Sequence, residues 1–215
     1  MEIGAGVHDD ALRALLEIDP SLEPVAHAAG PLPERAGTPG FAGLAGVVVS
    51  QLVSRASADA IWARLTAATG PLTAESYLSV ARGEGPRLGL TAAKADTLVR
   101  VAEAVLAGSL DLERLAVLEA EEAIRRLTAL KGIGLWTAEV HLLFNCDHRD
   151  IFPAGDLALR IAFAAAYGGS GKPDIAVLKA RALDWAPHRS TAARLLWAYY
   201  GAVLRKPQTV LPQLI

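Results

Sequence analysis

An all-α fold is predicted by three features of the sequence. Apolar residues recur at spacings of three and four almost throughout the 215 residues, the period of one helix face. Strand-like alternation is scarce. Helix starts and stops punctuate the chain at short intervals, as they do in proteins built from many short helices.

Taken in order, the glycine- and proline-rich stretch Gly30 to Gly40 is the first main loop. The apolar run Phe41 to Val49 follows, broken by Ser50 and Gln51 and far too short to span a bilayer. Ser57 is the next helix start, and Gly70 with Pro71 the stop after it. Thr73, with Glu75 in the first turn and Ser76 nearby, opens another helix. The loop Gly83 to Gly89 precedes a start at Thr91 and a stop at Gly108. Leu130 to Ala138 reads as a helix, a two-glycine hairpin and a second helix, and Phe152-Pro153-Ala154-Gly155-Asp156 as a proline-bent loop that delivers one carboxylate. Asp156 opens the next helix, Gly168 closes it, and Gly168 to Pro173 is a loop. The last starts are Asp174 and then Pro187 or Ser190. There is no internal repeat and no low-complexity segment.

Composition narrows the class. A net charge of −2 counts against a uniformly basic nucleic-acid binder, leaving a local basic face to be drawn from Lys94, Arg100, Arg125, Arg126, Lys131, Arg160, Arg189, Arg194 and Arg205. The single cysteine excludes an internal disulfide and a cysteine-rich iron-sulfur cluster, and fits a reducing compartment. Asp9 and Asp10 stand where an export signal would carry basic residues. The expectation is a cytoplasmic protein with no membrane partner.

The chemistry lies in the hairpin and the acid. Free N-H groups at a helix start point outward and bind anions, so Lys131-Gly132-Ile133-Gly134 reads as a phosphate grip. An Asp before Leu157-Ala158-Leu159 is also an ordinary N-cap. Either motif alone is common punctuation; the conjunction is specific. With Ser50-Gln51-Leu52-Val53-Ser54, Lys131 to Ala138, and Asp150 to Leu157, the chain resembles the helix-hairpin-helix, Gly/Pro-rich loop, Asp superfamily of DNA glycosylases. Within it, the likeness is to the 3-methyladenine DNA glycosylase II family, in a minimal form without the N-terminal β domain of longer members.

That resemblance implies two helical subdomains with a central cleft. Residues 41–149 would carry the hairpin, residues 1–40 and 150–215 would form the second subdomain, and Asp156 would sit in the cleft. Asp156 would be the catalytic carboxylate. Trp136 occupies the position at which bifunctional members carry a lysine, so no Schiff base can form and an intact abasic site is expected. The base pocket is assigned to Trp136, Phe41, Trp62, Tyr77 and His188, with Trp185, Trp197 and Tyr199 as further candidate walls, although core packing is the ordinary role of such aromatics. DNA contacts fall to Lys131, Gly132, Ile133 and Gly134, and to the wedge segments Gln51-Leu52 and Leu90-Thr91-Ala92 with Lys94. Ala92 aligns with the bulky wedge of some members; Leu90 either substitutes for it or packs inside. No resident cofactor or catalytic metal is expected, and Cys146, His148 and Asp150 lack a zinc spacing. A monovalent cation at the hairpin carbonyls when DNA is bound, double-stranded damaged DNA as partner, and a monomeric state complete the expectation. The competing readings are a noncatalytic helix-hairpin-helix module, a bifunctional lyase, and a glycosylase for hypoxanthine or 3-methylcytosine.

Overall fold

The computed structural model describes residues 7–33, 37–84 and 88–205. Eleven α-helices account for most of them, and no strand occurs among the described residues. They divide into two compact units, residues 37–84 with 88–147, and residues 7–33 with 148–205.

The first unit holds α3 (Gly40–Ser50), α4 (Arg55–Thr69), α5 (Ala74–Glu84), α6 (Ala92–Leu106), α7 (Ala120–Thr128) and α8 (Leu135–Asn145). Its centre is α3, which buries Phe41, Leu44, Ala45, Val47, Val48 and Val49 and packs on α4, α6 and α8. A helix apolar on so many sides must lie inside the protein. Its small residues permit close contact: a Cβ on Gly43 would come within 1.8 Å of the Thr38 carbonyl oxygen. Asn145 at the end of α8 fixes that approach, accepting from the Thr38 N-H at 3.1 Å and donating to the Gly43 carbonyl at 3.3 Å.

The second unit holds α1 (Val7–Ile18), α2 (Glu23–Ala29), α9 (Leu157–Ala166), α10 (Ile175–Ala182) and α11 (Arg189–Tyr199), which continues as a π-helical turn over Tyr200–Leu204. Its α11 packs on α1, α2 and α9. Trp185 is fully buried, tilted against Phe152 and edge-on to Phe163, with its indole N-H donated to Asp19 at 2.8 Å.

Several starts fall as the sequence indicates: Thr91, Asp156 and Asp174 are N-caps whose side chains accept a first-turn N-H. Two are displaced. The cap of α4 is Ser54, which accepts from Ser57 N-H, so the helix begins one turn before Ser57. The cap of α11 is His188, without a side-chain bond. Ser190 is buried and works across the chain, donating to the His148 carbonyl and accepting from the Ile151 N-H. A serine with better distant partners does not serve as a local cap.

Candidate nucleic-acid interface and carboxylate site

In the first unit, α7 and α8 are joined by the glycine hairpin. The Ile133 N-H closes a turn on the Leu130 carbonyl at 3.0 Å, and the Ile133 side chain is buried, which roots the turn in the core. The two glycines differ. Gly132 has φ of 103°, and a Cβ there would meet Thr97 Oγ1 of α6 at 1.9 Å. Gly134 is extended at φ −86°, and a Cβ there would meet nothing within 4 Å. It is the N-cap of α8 and makes no side-chain capping bond, and a helix N-terminus suits an anion. Lys131 is exposed beside it, and Arg100 Nε donates to the Lys131 carbonyl at 3.3 Å.

The turn after α3 lies in the same unit. Gln51 has φ −58° and ψ 126°, and Leu52 has φ 54°. These values fit the two central positions of a type II turn, the second of which ordinarily takes glycine. A leucine there costs on the order of 1 to 3 kcal/mol. Its side chain recovers nothing by burial, since Leu52 is 98% exposed. Gln51 turns back, donating Nε2 to Thr137 Oγ1 of α8 at 2.8 Å, which ties the turn to the hairpin.

The structure corrects the second wedge segment. Leu90 is buried at 5% exposure, so it packs inside and offers no wedge. Thr91 spends its hydroxyl as the cap of α6, and Ala92 is exposed but small. Lys94 is also corrected as a DNA contact. It is 9% exposed, and its ammonium donates to the Val49 and Gln51 carbonyls at 2.7 and 2.6 Å. Burial pushes its pKa below the ordinary lysine value. Several other candidate cations are likewise engaged: Arg125 and Arg126 with Glu122, Arg189 with Asp150 at 2.7 Å, and Arg160 with the Pro173 carbonyl at 2.7 Å.

The proposed pocket aromatics scatter. Phe41 and Tyr77 meet at 5.7 Å between ring centres, but Tyr77 is fully buried, with its hydroxyl on the Ala95 carbonyl. Phe41 borders a cavity of about 490 Å³ with Leu72, Glu75, Asp111 and Glu113. Trp62 lines a different cavity, about 80 Å³, with Gly46, Val140 and Asn145. Trp136 is half-buried at the second position of α8.

The carboxylate belongs to the second unit. Asp156 caps α9, accepting from the Leu159 N-H at 3.0 Å, and the same oxygen accepts from Trp197 Nε1 at 3.1 Å. The sequence offers Trp197 as a candidate pocket wall or core residue, with nothing to tie it to Asp156. It lies 41 residues from Asp156, and no local signal links them. Tyr200, one helical turn further, is buried; burial, together with the charge of Asp156 and against that of Arg205, raises its pKa. Half-burial leaves Asp156 oriented by two donors yet still reachable. His188 is half-buried in this unit at the start of α11. Cys146 pairs with the buried His141 at 3.7 Å, and no cluster of three metal-binding side chains occurs among the described residues.

No protein-family model matches the sequence. A stretch of 110 residues is 36% identical to DNA-3-methyladenine glycosylase 1 of Schizosaccharomyces pombe, covering 51% of this chain and 48% of that protein, so the match spans about half of the relative's length. The fold matches the S. pombe 3-methyladenine DNA glycosylase Mag1 in complex with abasic DNA, with a TM-score of 0.80, 29% identity, and coverage of 87% of this chain and 95% of that one. It also matches a DNA-3-methyladenine glycosidase from Bacillus halodurans, with a TM-score of 0.79, 29% identity and 90% coverage of both chains. In its all-α fold the chain is similar to these DNA glycosylases, and it carries a glycine hairpin and a capping Asp. The relatives and solved structures to which it is similar at 29% identity or more include 3-methyladenine DNA glycosylases of yeast and bacteria.

Proposed function

We propose that this chain is a monofunctional DNA glycosylase that hydrolyses the N-glycosidic bond of alkylated bases, 3-methyladenine and 7-methylguanine, in duplex DNA. The observation that carries the reading is Asp156, a half-buried carboxylate held by the α9 N-terminus and the Trp197 indole in a chain whose fold follows that of a DNA-bound relative. Cleavage of the bond develops positive charge on the sugar, and a fixed carboxylate stabilises that charge and orients the attacking water. An alkylated purine already carries positive charge, which weakens its bond to the sugar and favours an electron-rich aromatic face such as that of Trp136. Tryptophan cannot form a Schiff base, so the product is an intact abasic site.

On the DNA side, the N-terminus of α8 and Lys131 grip phosphate, with a monovalent cation at the hairpin carbonyls in the bound state. Leu52 fills the gap left by the extruded base. Its exposure and its unfavourable backbone support that role, because neither serves the fold. The protein acts on DNA as a monomer and needs no resident cofactor. Among the described residues no helix is long and apolar enough to cross a membrane.

The test is release of free bases from methylated duplex DNA by the wild type and Asp156→Asn, with products identified by mass. The variant should bind DNA normally and lose about a hundred- to ten-thousandfold in rate. Binding without base release by the wild type would defeat the alkylpurine reading.

A further inference from the structure

We propose that Lys94 is a positioning residue that holds Leu52 in its outward pose, so that its ammonium serves insertion from beneath the turn and does not neutralise phosphate. Three observations converge. The turn after α3 lacks the glycine that ordinarily ends a helix at positive φ; Leu52 takes that conformation instead. The carbonyls of Val49 and Gln51, one on the last turn of α3 and one inside the bend, both point at a single buried ammonium, at 2.7 and 2.6 Å. Gln51 donates to Thr137, which leaves its carbonyl as the group that orients the peptide leading to Leu52.

Two like carbonyl dipoles repel when brought together, and a cation between them removes that repulsion. The lysine thus stabilises the local backbone that an exposed leucine would otherwise abandon. Its place on α6 adds a second effect. Lys94 stands one turn before Thr97, which packs on Gly132, and two turns before Arg100, which holds the Lys131 carbonyl. One helix therefore sets the register between the turn that carries Leu52 and the hairpin that grips the backbone.

The consequence for DNA rests on the glycosylase reading; the local role of Lys94 does not. Wild type, Lys94→Met, Leu52→Gly and the double variant are compared for base release from methylated duplex and methylated single-stranded DNA, with duplex affinity measured against salt. Single strands need no wedge, since no partner base holds the target in place. Lys94→Met should lose about tenfold or more on duplex, change less than about twofold on single strands, and add nothing to Leu52→Gly, the signature of two residues acting as one unit. Loss on both substrates alike, additivity with Leu52→Gly, or a salt slope lowered by about one, as expected for a lost phosphate contact, would overturn the proposal. If Lys94→Met does not fold, Lys94→Gln is put through the same comparisons. Amide exchange across residues 47–54 reads the local role without any activity. If the wild type releases no base, the glycosylase reading fails, and exchange decides Lys94 alone: faster exchange in the Lys94 variant supports it, and unchanged exchange overturns it.

Discussion

Leu52 breaks two ordinary preferences at once, since a bulky side chain takes a positive φ and buries none of its apolar surface. Leu52→Gly should therefore leave thermal stability unchanged or raised, by up to about 1 kcal/mol from relief of strain, while lowering excision from duplex DNA. A fall in melting temperature would show that the leucine serves the fold. Trp197 offers a second test. Trp197→Phe keeps an aromatic side chain, smaller than the indole, and removes the donor to Asp156, so it should cost about tenfold in kcat with little change in KM, as expected for one hydrogen bond to a charged group. The capping position of Asp156 and the hairpin turn of Gly132 and Gly134 were legible in the sequence because each is marked by its immediate neighbours. Trp197 was not, because its partner is distant in the chain. Lys94 carried a signal that a charge inventory passes over: it shares a helix face with Leu98 and Val101, at spacings of four and three, and those two are fully buried.

Among the elements, the hairpin separates two uses of glycine that look identical in sequence. Gly132→Ala drives a Cβ into Thr97 at a backbone angle that disfavours it, so thermal denaturation should show clear destabilisation, on the order of 1 to 3 kcal/mol. Gly134→Ala meets nothing and needs no unusual angle, so the fold should be unaffected while DNA affinity falls, because a methyl at the N-cap of α8 hinders close approach of phosphate to the helix N-terminus. Equal melting temperatures for the two variants would contradict this division. Helix starts were readable wherever a side chain capped its own helix, as at Thr91, Asp156 and Asp174. They were misread where a serine was drawn to another segment, as Ser190 is to His148 and Ile151.

For the molecule as a whole, stability should depend on pH through groups outside the site. His141 is fully buried, and burial lowers its pKa to about 4, so the folded protein keeps it neutral while the unfolded chain takes up a proton near 6.5. That favours the folded state above pH 6.5, and the advantage is lost as pH falls toward 4, by up to about 3 kcal/mol. Urea unfolding across this window should show the slope in the wild type and a flatter one in His141→Gln. Below it, Asp19 adds to the loss. Burial raises its pKa, but donors from Ser21, Tyr167 and Trp185 and the charge of Arg181 outweigh that and hold it below the usual carboxylate value. Its contribution is therefore present above that value and disappears as the carboxylate is protonated. The sequence by itself determined the all-α class, the hairpin and the acid that follows it, since helical periodicity, turn glycines and caps are local properties of the chain. Only the tertiary structure decided that Leu90 is buried while Leu52 is bare, that Lys94 works beneath a turn, and that Trp197 holds Asp156. Burial and long-range hydrogen bonds depend on which segments meet, and no window of sequence contains that information.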